Sequence, residues 1–142
     1  MLLKLTVDQV KQVIKDDPVR PHISADWRTN NGSEVYGLYK DDNDKILRAI
    51  ICVTYTSEVP TCERDLDLSG SSIAVFYTVW SYDRGAGRDI VFKVAEHIKN
   101  TKKNIKRYVT LSPLTDMARN FHLKNGAKFI HKHMDCQNFE YE

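Results

Sequence analysis

The chain has 142 residues, 42% of them hydrophobic and 28% charged, which fits one soluble domain that buries a core without disulfide or metal staples. Its uncharged apolar runs reach only about ten residues, too short to cross a membrane, and Met1-Leu2-Leu3-Lys4-Leu5 lacks the apolar core of a secretory signal. A net charge of +2 is too small to argue for a nucleic-acid partner.

In chain order, Leu2 to Leu5 reads as a short edge strand. Thr6-Val7-Asp8-Gln9 is a capping box that opens a helix to about Asp16, with Val7, Val10, Val13 and Ile14 on one face. Asp17-Pro18 stops it, and residues 19–33 read as a long loop with a helical turn around Ala25-Trp27. Glu34 to Tyr39 alternates as a strand, Asp41-Asp42-Asn43-Asp44 makes a turn, and Lys45 to Tyr55 returns as the second strand of a hairpin. That second strand is apolar on both faces, so it belongs in the middle of a sheet. The acidic stretch 57–70, with Pro60 and Gly70, reads as an exposed loop, and Ser72 to Trp80 as a third long strand.

A helix over 88–100 buries Ile90, Val91, Val94, Ala95 and Ile98, and Lys106 to Leu111 is the next strand. Strand, helix, strand at this length implies a right-handed crossover and a parallel pair. Ser112-Pro113 reads as an N-cap with proline at the first helical position. Leu114, Met117, Ala118 and Phe121 then form the apolar face, and Asn125-Gly126 ends the helix. Lys128 to His133 is a last strand, paired with Asn138 to Tyr141. The order predicts an α/β domain with a mixed sheet.

Between the third strand and its helix lies Ser81-Tyr82-Asp83-Arg84-Gly85-Ala86-Gly87-Arg88. Glycine lets a backbone approach a ligand closely, and the first N–H groups of a helix point outward at the positive end of its dipole. Such a turn suits phosphate, and two arginines flank it. The loop also lies in the basic part of the chain. Residues 1–70 carry 9 basic and 12 acidic side chains (−3), and residues 71–142 carry 12 and 7 (+5). Cys52, Cys62 and Cys136 are odd in number and have no paired spacing, which fits free thiols in a reducing cytoplasm.

Two motifs and the element order resemble the GNAT superfamily of acyl-CoA-dependent N-acetyltransferases. Its phosphate loop, Gln/Arg-x-x-Gly-x-Gly/Ala, aligns with Tyr82-Asp83-Arg84-Gly85-Ala86-Gly87, with Tyr in the first position. Its last helix, Ala-Arg-x-Leu-Tyr-x-x-x-Gly-Phe, aligns with Ala118-Arg119-Asn120-Phe121-His122-Leu123-Lys124-Asn125-Gly126-Ala127. There His122 replaces a tyrosine that in many members protonates the departing CoA thiolate.

The resemblance implies an α/β (α+β) fold over residues 1–142 as one domain. Its sheet is mixed and mostly antiparallel, with a splayed parallel central pair and helices on both faces. It implies transfer of an acetyl group from acetyl-CoA to a primary amine by direct attack. The cofactor would lie on Val79, Trp80, Tyr82, Arg84, Gly85, Ala86, Gly87 and Arg88, with Asn120 and Phe121 from the last helix. A backbone N–H near Val79 or Trp80 would polarise the acetyl carbonyl, and His122 would be the general acid.

No general base stands out; Tyr77, Tyr82, Asp83 and Glu34 are candidates by position. His131-x-His133 shares a strand face but lacks a third metal ligand, so no metal is expected. Cys52, within a buried strand, reads as inert core. The run Lys99 to Arg107 reads as a solvated helix end, and a nucleic-acid or protein adaptor that uses it is a competing function. A GNAT-fold domain that binds an acyl-CoA or a partner without turnover is another. Acceptor specificity would lie in residues 17–33 and 56–71, where Trp27 and Glu63-Arg64-Asp65-Leu66-Asp67 face a cationic amine or simply solvent. The acceptor and the oligomeric state, a homodimer included, stay open.

Overall fold

The computed structural model describes residues 1–40 and 46–142. The turn expected at Asp41 to Asp44, and Lys45 after it, lie outside the described residues.

The strands are β1 (Leu2–Lys4), β2 (Glu34–Tyr39), β3 (Leu47–Thr56), β4 (Ile73–Ser81), β5 (Arg107–Thr110), β6 (Ser112–Pro113), β7 (Lys128–Lys132) and β8 (Cys136–Tyr141). The α-helices are α1 (Val7–Val13), α2 (Ala25–Thr29), α3 (Ala86–Thr101) and α4 (Asp116–Lys124). One sheet runs β1-β2-β3-β4-β5-β8, and β6 pairs with β8 further along. Glu140 of β8 pairs with both Val109 and Lys128, so β7 covers the other edge of β8. Every pairing is antiparallel except β4 with β5. β3 and β4 sit centrally, as their unbroken apolar runs require.

Helices cover both faces. The stripe of α3 (Ile90, Val91, Val94, Ile98) meets Ile51, Phe76 and neighbours on one side. On the other, Val10 of α1 and Ala25 of α2 pack over Ile50, Cys52, Val75 and Tyr77. α1 starts from the expected capping box: Thr6 Oγ1 accepts from Gln9 N at 3.2 Å, and Gln9 Oε1 accepts from Thr6 N at 2.9 Å.

Four local expectations need correction. α3 starts at Ala86, so Ala86 and Gly87 are inside the helix. Ser112-Pro113 is the strand β6, paired with Gln137 and Cys136; a proline is tolerated on so short a strand. The cap of α4 is Thr115, whose Oγ1 accepts from Ala118 N at 3.2 Å. Leu114 precedes α4 and Met117 is 83% exposed, so the inward residue of α4 is His122. Finally, the 57–70 segment is not wholly exposed, because a 3-10 turn at Glu63–Asp67 buries Leu66.

Candidate functional site

The site is built on the far end of β4. Its parallel pairing with β5 runs from Ile73 opposite Arg107 to Phe76 opposite Thr110, and Leu111 N donates to Phe76 O at 3.1 Å. Beyond Phe76, β4 continues to Ser81 on β3 alone. The register with β3 slips there. Cys52 faces Thr78 and Val53 faces Phe76, which leaves Tyr77 as an extra residue. A bulge of this kind bends a strand and re-aims its backbone groups. The splayed parallel pair is therefore present, and β4 offers a free backbone edge beside it.

At the end of β4 the chain turns through Asp83–Gly85 into α3. Ala86 N donates to Asp83 O at 3.2 Å, and Asp89 N to Gly85 O at 3.2 Å. Gly85 caps the helix at φ +81°, a left-handed conformation in which an L side chain is strained. Among the described residues, the N–H groups of Gly87 and Arg88 have no backbone or side-chain acceptor. They are the orphan donors of a helix start and carry its positive dipole. Arg84 and Arg88 are exposed on the same turn. Arg48 at the start of β3 offsets part of the loop's own acid charge, lying 3.0 Å from Asp83 and 3.8 Å from Asp89. With Arg84 and Arg88 on the same turn, the guanidiniums outnumber the carboxylates there, which suits an anion. Arg48 was not legible in the sequence, since only the strand pairing brings it there.

The other expected residues fall as follows. Val79 and Phe121 are half-buried on the α3 side of the sheet. A β-carbon at Gly87 would lie 3.2 Å from Phe121, so this glycine also lets α4 approach α3. Asn120 is exposed beside Phe121 on α4. Trp80 is buried towards α1, and its Nε1 donates to the Tyr82 hydroxyl at 3.0 Å. That hydroxyl donates in turn to Asp16 at 2.6 Å, and partial burial together with this bond pushes its pKa up to about 12.

His122 sits inside the core. It is 6% exposed, stacks on Phe139 with ring centroids 5.3 Å apart, and places Nδ1 2.7 Å from the Tyr141 hydroxyl. Burial pushes its pKa down to about 4, which favours the neutral imidazole near neutral pH. Its contacts are those of a packed histidine.

Of the candidate bases, Glu34, Asp83 and Tyr82 are hydrogen-bonded, whereas the Tyr77 hydroxyl is buried without a partner among the described residues. Tyr77 is buried and its phenol held well above the usual range by burial. Glu34 accepts from Tyr55 at 2.6 Å, and Asp83 from Arg48 at 3.0 Å. Cys52 is buried core, its thiol pushed up to about 11 by burial.

A buried charge network behind β4 had no signal in the sequence. Asp17 and Arg28 are almost wholly inaccessible, with Oδ2 and Nη1 2.7 Å apart. Asp17 Oδ1 accepts from Val19 N and Arg20 N, both at 2.8 Å, and from Thr78 Oγ1 at 3.1 Å. Burial alone would raise the Asp17 pKa, but these donors and Arg28 outweigh it and hold the carboxyl low. Arg28 also donates to the Ile23 and Arg20 carbonyls at 3.0 and 2.5 Å. The segment from Asp17 to Arg28 is thereby tied to the bulge. Arg20 Nη1 donates to the carbonyl of Tyr77 itself. Arg20 also lines a cavity of about 520 Å³ with Glu63, Pro113 and Cys136.

No protein-family profile and no curated protein matches the sequence. Solved structures do. Arabidopsis thaliana NAA60, crystallised with acetyl-CoA, is similar with a TM-score of 0.69 at 11% identity, covering 99% of this chain and 97% of that one. A candidate acetyltransferase of the GNAT family from Desulfovibrio desulfuricans has a TM-score of 0.65 at 12% identity, covering 100% and 98%. A malonyl-CoA decarboxylase from Agrobacterium vitis has a TM-score of 0.67 at 20% identity over 85% of this chain. The chain spans about a third of the length of the malonyl-CoA decarboxylases it matches. By these likenesses, the fold of this chain is that of the GNAT acetyltransferases.

Proposed function

We propose that this chain is an acetyl-CoA-dependent N-acetyltransferase acting on a primary amine of a small molecule or protein. The observation that carries the reading is the free backbone edge of β4, running from its bulge into a glycine turn with unspent amides. Those residues fit coenzyme A. The N–H groups of Gly87 and Arg88, with the guanidiniums of Arg84 and Arg88, would hold its diphosphate. The open edge of β4 would hold the pantetheine amides, with Val79 and Phe121 alongside. Acetyl-CoA supplies an acyl group on a sulfur leaving group, so a neutral amine displaces the thiolate as one proton passes from nitrogen to sulfur or water.

The chain's own residues would act by positioning. A backbone N–H near Val79 or Trp80 would donate to the acyl oxygen, which gains charge at the transition state. The bulge at Tyr77, held by Arg20 and by the Thr78–Asp17 bond, fixes where that backbone points. With His122 neutral and packed, the departing sulfur would take its proton from the nitrogen that has attacked, or from solvent. The three free thiols suit action in a reducing cytoplasm, and no described helix is long and apolar enough to cross a membrane.

Calorimetric titration with acetyl-CoA, followed by free-thiol release across an amine library, tests the proposal. Saturable binding with turnover supports it, and absence of binding at high micromolar cofactor ends it. The burial of His122 and Tyr77, and the bonds already held by Glu34 and Asp83, favour a second reading, an acyl-CoA-binding module without turnover. Binding with no thiol release from any amine would select that one.

A further inference from the structure

The groove between residues 19–27 and 62–67 takes no part in holding the donor. Two cavities of about 520 and 480 Å³ adjoin there and share Glu63 and Arg64 in their walls. The first is completed by Arg20, Pro113, Asp135 and Cys136, among others. It opens beside the β4–β5 seam, because Pro113 stands just past β5 and Arg20 holds the Tyr77 carbonyl. The second is completed by His22, Trp27, Leu66 and Asp67, among others, and leads away from the seam.

Charge and shape in this groove are specific. Three carboxylates (Glu63, Asp67, Asp135) face two guanidiniums, and that of Arg20 already serves Glu63 and Tyr77. Glu63 is held at the junction of the two cavities. Its Oε1 lies 3.1 Å from Arg20 Nε and its Oε2 2.7 Å from His22 Nε2. At the far end, the Trp27 indole N–H donates to Asp67 Oδ1 at 2.7 Å, which leaves Oδ2 without a hydrogen bond among the described residues, at the edge of an indole. A half-committed carboxylate against an apolar ring attracts an alkylammonium. A ligand carboxylate in the groove would meet Glu63, Asp67 and Asp135, with Arg64 as the exposed guanidinium to oppose them.

Building on the acetyl-transfer reading, we infer that this groove receives the acceptor and that the acceptor is a linear diamine. One ammonium rests against Trp27 and Asp67, and the other end reaches Glu63 beside the opening of β4. There the N–H⁺ bond of the reacting ammonium breaks, and its proton passes to the Glu63 carboxylate and on to His22 or water. The neutral nitrogen is left free to attack.

The test uses three four-carbon probes that differ only at the far end: putrescine, n-butylamine and γ-aminobutyrate. Each is titrated calorimetrically against the wild-type chain and Asp67→Asn without cofactor, then compared by KM in thiol release. Putrescine should bind about tenfold tighter than the other two, the worth of one seated cation. Asp67→Asn should bring putrescine and butylamine to near-equal affinity, while acetyl-CoA affinity stays that of the wild type. Equal binding of putrescine and butylamine, preference for γ-aminobutyrate, or a preference that survives Asp67→Asn would overturn the inference. The two proposals fail separately. Putrescine binding without acetyl-CoA binding would keep the diamine groove and remove acetyl transfer, whereas acetyl-CoA binding without diamine preference would do the reverse.

Discussion

His122 shows how one residue's surroundings override its intrinsic chemistry. Sealed against Phe139 and Tyr141, its imidazole is neutral in the folded chain down to about pH 4, whereas the unfolded chain protonates it near 6.5. The folded-state pKa is depressed, so its contribution is complete above about pH 6.5 and is lost as pH falls towards 4. The loss is on the order of 3 kcal/mol at most. Urea unfolding at stepped pH should show this slope, and His122→Phe should flatten it; an unchanged slope in the variant would show that other groups dominate.

Gly85 makes the opposite case, a residue whose value is conformational. Gly85→Ala should cost about 1–2 kcal/mol of stability, since φ +81° is strained for any L side chain while the space around it is open. Gly85→Glu adds a negative charge at the same turn and should weaken acetyl-CoA binding at least about tenfold, as should loss of Arg84 and Arg88 together. Calorimetric affinities that match wild type would place the diphosphate elsewhere.

At the scale of elements, the segment from Asp17 to Arg28 matters more than its irregular backbone suggests. Arg28→Met removes the partner of a buried carboxylate and should cost about 3–5 kcal/mol, while Asp17→Leu with Arg28→Met should recover part of that. A double-mutant cycle by urea unfolding measures the coupling, and additive losses would deny it.

The same segment marks where sequence reading stops. Local signals were legible because their partners are close in the chain: the Thr6–Gln9 box, the β2 alternation, and the glycine turn before α3. The Asp17–Arg28–Thr78 contacts join residues up to 61 positions apart, and no periodicity encodes them. α4 misled for a different reason. Leu114 and Met117 resemble an apolar stripe, yet a helical period does not say which side meets the sheet, and the side that does carries His122 and Asn125. Ser112-Pro113 carries cap chemistry, but two pairings with β8 take it into the sheet. Of the site itself, the glycine turn could be read from sequence, and the family resemblance implied the loops at 17–33 and 56–71, whereas the places of Arg20 and Arg48 could not be read, because each depends on contacts across the fold.

In the molecule as a whole, the open edge of β4 and the groove at residues 19–27 and 62–67 are carried by one sheet whose central pair closes over only part of its length. That half-closed seam has a kinetic signature. From Ile73 to Phe76, β4 is paired on both flanks; after the bulge at Tyr77, whose carbonyl is held by Arg20, it is paired from Thr78 to Ser81 with β3 alone. In heavy water, amides in the second stretch that point away from β3 should take up deuterium well before those in the first, dividing a single strand into fast and slow halves. If acetyl-CoA lies along that edge, adding it should slow the fast half and leave the slow half unmoved, so isotope uptake within one nine-residue strand would report occupancy with no need for turnover.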